Sequence, residues 1–453
     1  MPPDMSAGKE VGSTVETRKI RIPYTPGSAG TLKTLLASLL ALTVILYTDA
    51  PAVHVAAVWG VVLVAAAVVK LDMVHPYCWF SMAFALYNTA YTILYIMGDD
   101  TSAGYSSMNA VYTVAAMAVV LLIVGADSVD ASVPLERRRE LNSTYNDLFF
   151  WLFFAVSVMF AFILQRRGYS GKKAMQAAGD IYYSLGVHVV RWMMMMMVIQ
   201  LCSDRCRNRL RTFILLGAAM GAALLMSMFT GERDIIFRAV LLGMVLLFYY
   251  GIIKRRHIII LIPIGAGIMI ASVYFKYFFL TGVGNDAYLD TGGLLYRFLR
   301  TDFHATGRNT QHLLNYAWTR GYWGLKIFFS EFFRGIVPGV SFVNPSSWYN
   351  NEVYPGSFKG QAFTMVGFGH SIAGLWGVLL VFAVLGLFIR YTYDHSRRSV
   401  YSLAYYLYSI SIVTGCYRAT LNTVVNMSLK AVLLMVLLSR FFGEVRVKGK
   451  NGA

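Results

Sequence analysis

The sequence predicts an all-α, polytopic membrane protein of about twelve transmembrane helices, with one large external loop that carries short amphipathic helices. Two observations carry that prediction. Of 453 residues, 57% are hydrophobic and 14% charged, with a mean hydropathy of +0.55, so the chain holds more apolar surface than a water-soluble fold buries. Apolar runs of roughly 18 to 22 residues also recur, and at 1.5 Å per residue each crosses a hydrocarbon core of ~30 Å.

The polar, basic leader 1–30 has no short apolar core before a small-residue cleavage site and reads as a cytoplasmic tail rather than a signal peptide. Nine spans follow within 31–280, at 31–48, 52–69, 76–97, 107–125, 147–164, 185–202, 212–229, 235–252 and 257–280. The segment 281–362 is the large external loop, three more spans at 364–389, 401–417 and 422–439 fill 363–440, and 441–453 is a second cytoplasmic tail. With the N-terminus inside, Lys and Arg sort to the cytoplasmic ends, as at Arg137 to Arg139, Lys254 to Arg256 and Arg397 to Arg398. One segment opposes the rule. Residues 165–180 fall outside yet carry Arg166, Arg167, Lys172 and Lys173, which means either a miscounted span or cations with an external task. Cys78, Cys202, Cys206 and Cys416 are too scattered for a disulfide framework, and the Cys202/Cys206 pair lacks further ligands for a metal. Met193 to Met197 read as adaptable packing.

Charge at membrane depth is costly, so the charged positions are the candidate site. The turn Thr230-Gly231-Glu232-Arg233-Asp234 sits between two spans, with Arg238 one turn into the second. The cluster can neutralise itself in part, since Asp234 and Arg238 are four apart and placed to pair and Glu232 suits a helix start, which leaves Arg233 without an assigned partner and as the residue to act on a ligand. Arg191, Lys276, Arg418 and Lys430 are further charges inside spans. In the loop, Arg297, Arg300, His304, Arg308 and His312 form one stripe if 294–315 is a helix, either a cationic shelf for phosphate oxygens or the headgroup side of a helix lying on the membrane. Gly307 argues against a continuous helix. Trp348, Tyr349 and Asn350 combine aromatic faces with amides, as sugar rings require, and His370 stands at the entry to a span as a base or a helix-end residue.

These features resemble the bacterial O-antigen and exopolysaccharide repeat-unit polymerases, grouped with the O-antigen ligases. The shared marks are the Gly231-Glu232-Arg233 turn, an Arg-rich outer loop before the last helices, and the Gly-rich stretch GFGHSIAGLWG at 367–377, over roughly residues 210–440. The resemblance implies a GT-C-like glycosyltransferase in the bacterial inner membrane. It would use undecaprenyl-pyrophosphate-linked glycans on the outer face, without nucleotide sugar, cofactor or metal, beside membrane lipids, a chain-length regulator and a flippase. Arg233 then carries over to the family's turn arginine, and Arg297, Arg300 and Arg308 to its loop arginines. Arg238 and Arg418 are added as pyrophosphate ligands, and Trp348, Tyr349, Asn350 and His370 as glycan contacts. A base for the attacking hydroxyl is sought among His304, Glu232, Asp234, Asp302 and His370, with His304 and Glu232 preferred. A ligase for finished polymer and a transporter of lipid-linked glycans or other organic anions are the competing readings, and no nucleic-acid partner is expected.

Overall fold

The computed structural model describes residues 22–23, 29–99, 102–126, 128–129, 138–141, 143–169, 174–175, 178–203, 209–231, 234–254, 256–257, 260–261, 263–268, 270–271, 294–300, 302–320, 322–337, 344–353, 362–396, 399–418 and 420–446. They form a helical bundle. The helices are α1 (Ala29–Leu46), α2 (Pro51–Val68), α3 (Pro76–Ile96), α4 (Ser107–Val124), α5 (Ser143–Arg166), α6 (Ile181–Ser203), α7 (Arg209–Thr230) and α8 (Asp234–Tyr249). Next come α9 (Leu294–Leu299), α10 (Asp302–Arg320), α11 (Leu325–Ile336) and α12 (Pro345–Val353), then α13 (Met365–His395), α14 (Val400–Cys416) and α15 (Leu421–Phe442). Eight of them, α1, α2, α4, α5, α6, α7, α13 and α15, are long and apolar enough to cross a membrane. Helices stand at eleven of the twelve expected spans, and the span at 257–280 lies largely outside the described residues.

The direction in which side chains sort identifies the solvent. Helix α1 buries Thr31, Thr34, Ser38 and Ala41 and exposes Leu32, Leu36, Leu39 and Leu40, the reverse of a helix in water. Its hydroxyls are satisfied within the helix, Thr34 on the Gly30 carbonyl and Ser38 on that of Thr34. Small polar residues inward and leucine outward is how helices pack when the surroundings are as apolar as the core. Helix α15 shares the outward half of this pattern, with Leu429, Val432, Leu433, Val436 and Leu437 exposed. By contrast α3 and α14 are buried over 15 of 21 and 14 of 17 residues, so they form the centre of the bundle and can carry polar side chains.

Two short antiparallel pairings fix which loops share an end. Strand β1 (Ile22–Pro23) pairs with β2 (Ser128–Val129), and β3 (Arg138–Leu141) with β4 (Gly443–Arg446), so the segments just before α1 and just after α15 lie beside described parts of the α4–α5 connection. We call this the terminal end. At the opposite, loop end, Ser106 N–H donates to Gln311, Asn315 to the Ala103 carbonyl and Met365 N–H to the Tyr417 carbonyl, tying together the α3–α4, α10, α13 and α14–α15 segments.

The large loop is folded into the bundle. The continuous stripe expected over 294–315 is split between α9 and α10, so Arg297 lies on one helix and His304, Arg308 and His312 on another. Gly307 does not break α10. It is where α10 crosses α3, since a Cβ there would come within 2.8 Å of Tyr91 Cβ. Nor does α10 lie on a membrane surface, because Asn309, Thr310 and Gln311 are fully buried and Asn309 donates to the Ala362 carbonyl. The helix with the two-faced pattern suited to an interface is α11, which exposes Leu325, Phe329, Phe333 and Ile336 on one face and buries Ile327, Phe328 and Glu331.

Helix α13 is broken in two. Ala373 and Gly374 leave helical geometry, Gly374 at φ +60°, and Gly369 lies in backbone contact with the Gly377–Val378 segment. In a straight helix nine residues span about 13 Å. The two arms therefore fold sharply against each other, and the glycines of 367–377 are explained by that contact. The carbonyls freed at the break accept from Trp323 N–H, on Ser371, and from Gly324 N–H, on Ile372.

Candidate functional site: a shared carboxylate among arginines

Helix α7 ends at Gly231, whose φ of +71° turns the chain, and α8 begins three residues later with Asp234. A carboxylate there is favoured by the helix dipole, and the expected pair forms, with Arg238 Nε 2.7 Å from Asp234 Oδ2. Two more arginines converge on the same acid from other helices. Arg191 of α6 places Nη2 at 3.8 Å from Oδ2, and Arg418, just beyond α14, places Nε at 3.9 Å from Oδ1. Asp234 and Arg238 are almost fully buried, with side-chain exposures of 3% and 5%.

The backbone of α14 makes room for this cluster. A Cβ on Gly415 would overlap the Arg238 guanidinium, so that planar group lies directly against the helix. Its Nη1 donates to the Met427 sulfur of α15 at 2.8 Å. A guanidinium held flat between two helices presents a fixed fork to an oxyanion, which a flexible lysine does not. Three positive groups around one negative group make an anion-attracting centre.

The cluster adjoins α10 through an aromatic wall. Phe237, beside Arg238, packs edge-on to Phe303 at 6.1 Å between ring centres, and Tyr87 contacts both, at 6.4 Å and 4.7 Å. One residue on, His304 is buried against Tyr91 at 5.7 Å. Further along α10, Arg308 is half-buried, and burial together with its charge holds the His312 imidazole below its ordinary pKa, hence neutral near pH 7.

Other candidates separate from this centre. Arg300 lies 3.7 Å from Asp99 Oδ2 and donates to the Tyr296 hydroxyl at 2.7 Å, a pairing that ties α9 to the end of α3, and Arg297 sits half-buried on α9. Tyr349 is fully buried, its hydroxyl on the Asn309 carbonyl at 3.3 Å, so it offers no face to a sugar; Trp348 packs on Trp323 at 4.3 Å, and Asn350 is partly exposed. His370 is also fully buried, within the broken part of α13, between Tyr112 and Tyr322, rather than at a span's open entry. Glu232 and Arg233 lie outside the described residues, as do Lys276 and the side chain of Asp302. Met193 to Met197 are buried in the core. Among the described residues no three His, Cys, Asp or Glu side chains converge on a metal-sized position.

The anomalous segment 165–180 is partly explained. Arg167 pairs with Asp180 at 2.5 Å and lies over the Tyr182 ring at 4.7 Å, while Asp180 accepts from the Tyr182 N–H at 2.8 Å to start α6. Lys172 and Lys173 lie outside the described residues.

The sequence marks Arg191, Arg418 and Lys430 as charges at spans but does not join the two arginines to Asp234 or Lys430 to His188. Lys430 Nζ meets His188 Nε2 at 3.2 Å, and both line a small slot with Arg191, Trp192, Tyr408 and Met427. The one signal available was that each lies alone in an apolar run, which implies a partner but does not name it. Comparison with protein-family models, with curated proteins and with solved structures finds no match.

Proposed function

We propose that this protein is a membrane glycosyltransferase that polymerises glycan repeat units carried on a polyprenyl pyrophosphate, on the outer face of a bacterial plasma membrane. The proposed topology has twelve spans and both termini in the cytoplasm, with the loop end of the bundle outside. The observation that carries the reading is the gathering of Arg191, Arg238 and Arg418 around Asp234 where α6, α8 and α14 meet.

In the proposed reaction an acceptor hydroxyl attacks the anomeric carbon of the donor. The carbon–oxygen bond to pyrophosphate breaks, its electron pair leaves with the phosphate oxygen, and the hydroxyl proton passes to a base. Guanidinium groups fixed in a site shielded from water stabilise the charge on the departing pyrophosphate, and that leaving group requires no protonation. Arg238 and Arg418 take this role, with Arg308 further along α10. His304, buried beside the aromatic wall, is the preferred base among the described residues, and Glu232 and Arg233 of the turn complete the proposal.

The test uses purified protein with a synthetic undecaprenyl-pyrophosphate repeat unit. Chain growth predicts a ladder of longer glycans and released undecaprenyl pyrophosphate, without nucleotide or divalent metal. Transfer of preformed polymer to a lipid core, with no ladder, would make it a ligase.

A transporter of the same lipid-linked anions is the second reading, favoured by one observation, the break in α13. Interrupted helices at membrane depth often form transport sites. Movement of the lipid across vesicles without any change in glycan length would decide for transport.

A further inference from the structure

Helices α6 and α15 both pack on α14 but hardly on each other among the described residues, and side chains of all three line a small cleft. Lys430 of α15 bridges it to His188 of α6 at 3.2 Å. A lysine donates and has no acceptor, so His188 Nε2 is the acceptor and that imidazole is neutral. Arg191, Trp192, Tyr408 and Met427 line the same slot, and Met427 also receives the hydrogen bond from Arg238. Arg191 and Met427 thus belong both to the slot and to the arginine cluster.

Its depth is unusual for these groups. Lys430 lies nine residues into α15 from Leu421 and His188 seven into α6 from Ile181, about 13 Å and 10 Å below the loop end at 1.5 Å per residue. On the outward side of α15, Leu429, Val432 and Leu433 are exposed to the surroundings. Lys430 and Arg191, the latter also 3.8 Å from Asp234, are like charges that repel each other across one narrow slot, and exposed apolar side chains stand next to Lys430 on α15. An anionic oxygen between the two cations would relieve that repulsion, and an apolar chain on the same molecule would lie along the leucines.

We infer that the α6–α15 cleft is a lateral binding site for the phosphate of a membrane lipid, with Lys430 and Arg191 contacting its oxygens and its hydrocarbon chain lying outside α15. The inference rests on the proposed function only for taking that lipid to be a polyprenyl pyrophosphate. The slot has room for a group of about water size, which one phosphoryl oxygen fills. A substrate arriving from the bilayer then meets Lys430 first and the Asp234 cluster second.

The test measures binding of undecaprenyl pyrophosphate and, separately, of inorganic pyrophosphate to the full chain in lipid nanodiscs. Wild type is compared with Lys430→Gln, Lys430→Arg and Ala431→Phe, the last to crowd the slot without removing charge. Lys430→Gln is expected to weaken the lipid about tenfold, the loss of one charge-assisted hydrogen bond, while Lys430→Arg retains it. Ala431→Phe is expected to weaken the lipid as well, and inorganic pyrophosphate is expected to bind all four alike. Unchanged lipid affinity in Lys430→Gln and Ala431→Phe overturns the inference. Equal losses for lipid and inorganic pyrophosphate also overturn it, because the site then takes free phosphate. Failure of the two readings is separable. Normal chain growth with Lys430-independent lipid binding sinks the lateral site and leaves the enzyme, whereas Lys430-dependent binding without any chain growth does the reverse.

Discussion

Among the described residues, the arginines seen paired with an acid fall into two kinds, those with a carboxylate of their own and those that share one. Arg167 has Asp180, Arg211 has Asp147, Arg334 has Glu331 and Arg390 has Asp394, at 2.5 to 2.8 Å, and Arg300 has Asp99 at 3.7 Å. Arg191, Arg238 and Arg418 all turn to Asp234. A private pair at a bundle end is neutral and partly wetted, and such pairs contribute up to ~1 kcal/mol each. A shared carboxylate inside the bundle leaves positive potential where solvent does not screen it. The first kind joins helices together, and the second is poised to receive an anion.

The strongest break of that comparison is Arg238→Ala. It strips the closest partner from a buried carboxylate, and removing one member of such a pair costs about 3 kcal/mol. Chain growth should fall below detection, and thermal unfolding should show a marked loss of stability. Arg238→Lys keeps a charge but not the planar fork. It should recover most of the stability and little of the activity. Recovery of both would mean that only charge matters there.

Gly415→Ala tests the same group from the other side. The new methyl would overlap the Arg238 guanidinium, and overpacking of that kind costs roughly 1–3 kcal/mol. Activity should drop at least as far as in Arg238→Lys although every charge is still present. Wild-type chain growth in Gly415→Ala would show that the position of the guanidinium is not important.

The α9–α10 arginines sharpen the comparison further. Arg300 has a 39% exposed side chain and its own acid, so Arg300→Ala should cost up to ~1 kcal/mol and leave chain growth within a few-fold of wild type. Arg308 is half-buried on α10, four residues beyond His304, and Arg308→Ala should abolish chain growth while the protein remains folded. Equal, mild effects in both variants would mean that Arg308 takes no part in chain growth.

Which of these roles the sequence discloses depends on the range of the interaction. The helical spans were legible because lipid imposes a length and a composition on every run. The Asp234–Arg238 pair was legible because four residues make one helical turn. The convergence of Arg191 and Arg418 on Asp234 was not, since it depends on which helices pack together, and nothing local in separate apolar runs specifies that. The α9–α10 stripe was misread because a local period cannot register the break that places Arg300 on Asp99. The glycines of 367–377 were seen as a motif, but their reason, backbone contact across a broken helix, exists only in three dimensions.

The smallest expected effect comes from the pair that resolves the odd charge of 165–180. Burial alone would raise the Asp180 pKa, but the N–H groups of Tyr183 and Tyr182 and the Arg167 guanidinium outweigh it and hold the carboxyl below its usual value. A carboxyl lowered in this way adds stability that is fully present above its unfolded pKa and is lost as pH falls through the folded one. Asp180→Ala removes both the start of α6 and the partner of Arg167, and should cost about 1 kcal/mol at neutral pH. Below about pH 4 the carboxyl takes up its proton in the unfolded chain before it does in the folded one, so the advantage of wild type declines from there and the gap between the two proteins should close as pH falls through the folded pKa. Chain growth should be unaffected at neutral pH, because this cation has its own acid and faces no substrate. A gap that stays constant into acid would remove the ion pair from the account, and a loss of chain growth would move Arg167 into the same class as Arg238.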